Sequence, residues 1–246
     1  PLFTRELREI MQAGTRVLMV IDHPDDLERL FPTPGLRRAV EAAGRRLGAA
    51  REMRVTSAAG TDLRVQLGEY PTMIQYGYAD APGRFDHWGA GHAHTFPNEG
   101  SAEGMVINNV GDMVVLPFYR YVQDPIKVTI REGYIRKIEG GLDALLMRDW
   151  LEGWNDPEGF ATSHLGWGLH PKGQWNCMAL YSPERCLAHG RVFAGNFLFS
   201  TGPNTQGGGT RTTPGHYDVP MRECSIYLDG ELVVDTGKIV IPEMQA

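Results

Sequence analysis

MRVTSAAGTDLRVQL, residues 53–67, is where the chain changes character. Apolar side chains recur at every second position on either side of a small, glycine-bearing connection. A strand has a side-chain period of two, so this pattern predicts strands at 54–57 and 63–67 joined by a turn. Downstream the same short alternating segments follow, bounded by Gly, Pro and Asp, at 73–78, 104–108, 112–116, 126–131 and 134–138. That spacing predicts an antiparallel β region. One helix interrupts it, with Leu142, Leu145, Leu146, Trp150 and Trp154 expected along one face. The last third, from Ser163, is glycine-rich, with strands expected at 192–200, 225–228 and 232–235.

Upstream of residue 53 the period is helical. Phe3, Leu7, Ile10 and Met11 form one stripe, which Gly14 ends. Residues 16–21 (RVLMVI) read as a buried strand, with Asp22 as the cap of a helix starting near Pro24. Leu36, Ala39, Val40, Ala43 and Leu47 predict a further helix over 35–48. The expected class is α+β. Residues 1–50 read as the end of an N-terminal α/β domain, and 51–246 as a β-rich catalytic domain that binds a metal.

The bulk properties narrow the function. The chain has 246 residues and a net charge of −6, without a Lys/Arg cluster, which argues against a nucleic-acid partner. Its longest apolar runs, such as 17–21, are too short to span a bilayer, so no membrane role is expected. Three cysteines, with no CxxC pair, fit a reducing cytoplasm and leave any metal to imidazole and carboxylate ligands. There is no P-loop, GxGxxG or GxSxG motif to support nucleotide binding or serine hydrolysis.

Gly215-His216-Tyr217-Asp218 is the first candidate for chemistry. In an extended segment residues i and i+2 share a face, so His216 and Asp218 can converge on one divalent metal; a surface His–Asp hydrogen bond is the plainer alternative. Ser163–Pro171 (SHLGWGLHP) offers His164 or His170 as a further imidazole, and Gly166 and Gly168 allow close backbone approach. Two imidazoles and one carboxylate form the facial triad of non-haem Fe(II) oxygenases. A third cluster, PGRFDHW at 82–88 followed by His92, His94 and Glu99, reads as a second metal site, an acid/base cluster or a polar loop of solvated histidines. His87 stands apart, between Asp86, which could set its tautomer, and Trp88. Ser200, at the end of GNFLFSTGPN, could donate to a ligand or simply close a turn. Trp88 and Trp167 suit core packing better than ring stacking. His23 suits helix capping.

GTDL (60–63), PGRFDHW (82–88), SHLGWGL (163–169), GNFLFSTGPN (195–204) and GHYDVPMRECSIYLDG (215–230) together resemble the 2,5-dihydroxypyridine 5,6-dioxygenase family, over roughly residues 10–240. That family serves nicotinate and nicotine degradation and is distantly related to the aminopeptidase T-like metallopeptidases. The resemblance implies ferrous iron, Fe(2+), held by His164, His216 and Asp218, with His87 and Ser200 in the substrate pocket. It further implies O2 and a small aromatic N-heterocycle as partners, extradiol-like ring opening, a homo-oligomer, and an N-terminal domain longer than residues 1–48. The aminopeptidases take a Glu from Glu-Leu-Gly-x-Gly, a His from Gly-Thr-x-His, and a final His-x-Asp. Here the first position is His164 and the second segment is the apolar GNFLFS. The resemblance therefore counts for a mononuclear dioxygenase and against its rival, a two-metal aminopeptidase.

Overall fold

The computed structural model describes residues 5–182 and 186–246. Phe3 of the first expected helix lies outside them, and that helix is described over Arg5–Gln12.

The hairpin that opened the reading is present as strands Glu52–Ser57 and Asp62–Gln66, paired with Met53 opposite Val65 and Val55 opposite Leu63. Leu63 and Val65 are buried while Asp62, Arg64 and Gln66 face out. On the outer face Arg54 binds both carboxylate oxygens of Asp62, at 2.8 and 2.7 Å. This hairpin lies inside an eight-stranded sheet of order Tyr134–Gly140, Ile126–Arg131, Glu103–Asn108, Asp62–Gln66, Glu52–Ser57, Cys224–Leu228, Glu231–Asp235 and Lys238–Ile239. Every neighbour in it is antiparallel.

A second, five-stranded sheet carries the chemistry. Its order is Tyr217–Met221, Phe197–Thr201, Thr162–Gly168, His92–Thr95 and Met73–Gln75, again antiparallel throughout. Helix Pro34–Ala49 packs on its last two strands. Thr33 caps that helix by accepting the Leu36 N–H at 3.1 Å, and Pro34 takes the first position. The expected stripe of Leu36, Ala39, Val40, Ala43 and Leu47 is buried, in one core with Val55, Val106, Phe197 and Val219. Helix and both sheets therefore share one apolar interior.

Several elements depart from expectation for local reasons. The first strand is only Val17–Met19, paired in parallel with Phe85–His87, and it is not buried: Leu18, Val20 and Ile21 are exposed. The following helix, Pro24–Arg29, is capped by His23 rather than Asp22, His23 Nδ1 accepting the Asp25 N–H at 3.3 Å. Helix Leu142–Gly153 forms, but it buries Ala144, Met147 and Leu151 and exposes Leu142, Leu145 and Trp154. Asp143 sets that rotation, accepting the N–H groups of Gln123 and Asp124 at 2.6 and 2.9 Å and pairing with Arg120 at 2.9 Å. The strand expected over 192–200 is confined to Phe197–Thr201, because Leu187–Val192 is helical. Asn196 ends that helix by donating to the carbonyls of Gly190 and Arg191 at 3.0 and 3.2 Å.

Gly166 shows how tightly the second sheet is drawn together. A Cβ there would lie 2.0 Å from the Ala93 carbonyl oxygen and 2.6 Å from the His94 Cα. Both are backbone atoms, so no side-chain rotation relieves the clash. Gly166→Ala is expected to cost at least about 2 kcal/mol, in the range of overpacked cores. For a chain of this size that lowers the melting temperature by roughly 4–8 °C. A thermal unfolding curve matching the wild type would show that these strands have room to part.

Candidate metal centre and its pocket

Phe197–Thr201 and Tyr217–Met221 pair with Ser200 opposite Asp218, which puts those side chains on one face. On the other side of Phe197–Thr201, the register slips between Thr162 and Leu165, so Ser163 and His164 together oppose Ser200. Such a bulge re-aims a side chain, and here it brings His164 over the face that carries Asp218. The Asp218 backbone is clamped from its far side, exchanging hydrogen bonds with Val115 and Leu116, each 3.0 Å.

The Nε2 atoms of His164 and His216 lie 3.2 and 3.3 Å from one oxygen, Asp218 Oδ1. Neither approach has hydrogen-bond alignment, and Oδ1 is buried without a hydrogen-bond partner. One ligand atom from each of the three residues falls within 4.8 Å of the others. His216 Nδ1 lies 2.7 Å from the Thr201 carbonyl, so that nitrogen carries the proton and Nε2 keeps its lone pair for a metal. Burial works to raise the Asp218 carboxyl, but the His216 and His164 imidazoles outweigh it and hold it well below the usual carboxylate range. Burial likewise works to lower His216, and Asp218 overcomes it. Two imidazoles, an ionised carboxylate and an orphaned Oδ1 at their meeting point fit a divalent cation.

This centre lines a cavity of about 780 Å³ whose other walls include Leu116, Leu198, Val219 and Pro220. Five imidazoles run through it as a row. Ring centroids are 5.8 Å apart from His87 to His92, 5.2 Å from His92 to His94, 5.2 Å from His94 to His164 and 5.5 Å from His164 to His216. His92 and His94, expected as solvated loop residues in the plainer reading, are instead 4% and 3% exposed on strand His92–Thr95. Their i, i+2 spacing puts both rings on the cavity face, a signal present in His-Ala-His. Burial pushes His94 down to about 3, and both His87 and His92 well below the ordinary imidazole value. All three are therefore neutral near pH 7.

The remaining candidates separate. Ser200 is fully buried and donates to the His164 carbonyl at 2.8 Å, so its hydroxyl proton is engaged by the bulge. Asp86 does not set the tautomer of His87. Its carboxylate takes the N–H groups of Tyr76, Gly77 and His87 and the guanidinium of Arg84 at 2.6 Å, which makes PGRFDHW a loop staple. The His87 ring meets Arg191 instead, Nη2 to Nε2 at 3.5 Å. Arg191, which lines the cavity, carries no sequence signal beyond a lone arginine in an apolar stretch. His170 is away from the triad, its Nδ1 accepting the Lys172 N–H. Glu99 binds Arg211, Tyr70 and Asn204, fixing the loop after Thr201. Trp88 donates to the Leu27 carbonyl and Trp167 is core, as packing predicts.

The family model for 2,5-dihydroxypyridine 5,6-dioxygenase matches residues 1–241. A 2,5-dihydroxypyridine 5,6-dioxygenase of Pseudomonas putida KT2440 is 47% identical over 244 residues, which are 98% of this chain and 69% of the relative. The solved structure of the Pseudomonas putida KT2440 2,5-dihydroxypyridine dioxygenase superposes with a TM-score of 0.97 at 46% identity, over 100% of this chain and 71% of that one. AmpT from Thermus thermophilus superposes with a TM-score of 0.63 at 14% identity, over 89% of this chain and 56% of that one, a likeness of fold.

The geometry makes two demands on the ligand set. His164→Ala, His216→Ala and Asp218→Ala should each empty the centre, while His170→Ala leaves metal content near wild type. Ser200→Ala should keep the fold but weaken metal binding about 10–100-fold, the usual cost of losing a group that orients a ligand. Chelator competition measures both; an unchanged affinity in Ser200→Ala would deny that the bulge aims His164.

Proposed function

The chain belongs to the 2,5-dihydroxypyridine 5,6-dioxygenase family, and from that premise we propose that it is an Fe(II)-dependent, extradiol-like dioxygenase that opens the ring of a hydroxylated pyridine, 2,5-dihydroxypyridine foremost. The observation that carries the reading is the meeting of His164, His216 and Asp218 Oδ1 at the wall of a cavity large enough for one aromatic ring. Ferrous iron bound there would supply the Lewis acidity and the one-electron chemistry that O2 needs in order to react with a closed-shell ring.

The chain's own residues would do the rest. His164, His216 and Asp218 would hold the metal at the cavity wall. Thr201 and Ser200 fix the two histidines through backbone and hydroxyl contacts. Leu116, Leu198, Val219 and Pro220 would give the ring an apolar berth. His87, neutral and with Nε2 turned toward the cavity side where Arg191 sits, can hold the proton released by a ring hydroxyl and return it to the opened product. A place in nicotinate or nicotine breakdown, a homo-oligomeric state and the cytoplasm belong to the same proposal. No helix among the described residues is long and apolar enough to cross a membrane. Among them, too, a single group of three metal-ligating side chains stands together, which favours this reading over a two-metal aminopeptidase.

Anaerobic loading with Fe(II), then oxygen uptake over a panel of hydroxylated pyridines, tests the proposal. One O2 consumed per ring opened with iron, and none with Zn(II), is the expected result; peptide hydrolysis in its place would defeat it. His87→Ala should keep its iron and bind substrate but turn over roughly 10²–10⁴-fold more slowly, the usual share of positioned acid/base catalysis. An iron-free His87→Ala would make this residue a ligand, and a fully active one would leave it a wall.

A further inference from the structure

The cavity holds one cation for which the metal centre has no use. Arg191 lines it from helix Leu187–Val192, and its Nε is shut away from water without a hydrogen-bond partner. Among the described residues no carboxylate lies within 4.0 Å of its guanidinium; the 3.5 Å approach to His87 is the polar contact it makes. The acidic groups in electrostatic range are Asp22 and Asp218, and Asp218 is already engaged by two imidazoles. The Nε of this part-buried guanidinium has lost its contact with water without gaining a hydrogen bond, a costly arrangement that a ligand would complete.

Its placement is built and not accidental. Asn196, fully buried, donates to the Arg191 carbonyl at 3.2 Å and to that of Gly190 at 3.0 Å. The same side chain accepts the Gly168 N–H at 2.6 Å, tying the arginine's helix end to the strand that carries His164. The distance between Arg191 and the metal centre is thus set by a rigid side-chain bridge. Charge counting points the same way. Asp218 is the one carboxylate among the described residues that line the cavity, and the imidazoles beside Arg191 are neutral. Even with Asp22 counted, a divalent metal and a guanidinium against two carboxylates would leave an excess of positive charge.

We infer that Arg191 is the substrate's anion anchor: its guanidinium binds an ionised ring oxygen of the hydroxylated pyridine, so that the ring is fixed between two cations, the arginine and the metal. This rests on the dioxygenase reading of the cavity and adds to it the charge state selected and the residue that selects it. An anion at Arg191 also removes the positive field that opposes protonation of His87. Substrate binding thereby readies the neighbouring imidazole to hold a proton.

The test is anaerobic calorimetric titration of 2,5-dihydroxypyridine into the Fe(II)-loaded protein, where binding is read without turnover. Arg191→Met should weaken binding about 10–100-fold, the range for a hydrogen bond to a charged group, with one iron per chain retained. Arg191→Lys, which keeps the charge but loses the planar fork, should fall between the two. Equal affinity in Arg191→Met and wild type, with iron in place, overturns the inference. If Arg191→Met does not fold, the metal-free wild type decides: pyridine-3-carboxylate should bind at least about tenfold tighter than its neutral isostere pyridine-3-carboxamide, and equal binding overturns it. Wild-type protein that binds no hydroxylated pyridine at all would instead defeat the dioxygenase reading, whatever the variants do.

Discussion

A carboxylate oxygen shut away from water is costly unless hydrogen-bond donors or positive charge meet it, and Asp218 Oδ1 is shut away without a donor. The five-stranded sheet can be understood as the scaffold for that meeting. Leu116 and Ser200 flank Asp218 in the hydrogen-bonded ladder, and the bulge at Ser163 and His164 delivers one imidazole to it. The short His-x-Asp step delivers the other. Gly166 then lets the His92–Thr95 strand close in behind, which completes a wall of imidazoles. Removing the carboxylate would leave two buried imidazoles facing each other with nothing between them.

Legibility in the sequence divided along the two sheets. The eight-stranded sheet has one wet face, so its strands alternate apolar and polar, and 54–57, 63–67, 104–108, 126–131 and 134–138 were readable within a residue or two. The five-stranded sheet is covered on both faces. Phe197–Thr201 and Tyr217–Met221 are buried at every position, and His92–Thr95 likewise, so no alternation marks them. Thr162–Gly168 carried no strand expectation for the same reason, although its glycines pointed to close backbone approach. The meeting of His164, His216 and Asp218 was nonetheless legible, because His-x-Asp needs only local geometry and the family motifs single out His164. Ser200 and Asp86 were legible as polar residues in the right places but not as backbone anchors. What a hydroxyl or carboxylate binds depends on strand register, which local pattern does not carry. Arg191 was invisible, since its meaning lies in partners it lacks.

The cavity combines charge and neutrality in an orderly way. His87, His92 and His94 are buried enough to stay uncharged, so the field inside is set by Asp218, Arg191 and whatever cation the triad holds. The AmpT likeness shows that the same architecture occurs at 14% identity, so the chemistry belongs to the side chains mounted on it.

One divalent metal is expected where two imidazoles meet Asp218 Oδ1. Crystals loaded anaerobically with Fe(II) and measured on either side of the iron absorption edge test it most directly. The account predicts one anomalous peak per chain, at bonding distance from His164 Nε2, His216 Nε2 and Asp218. A peak seated between His92 and His94, or two peaks per chain, would contradict it.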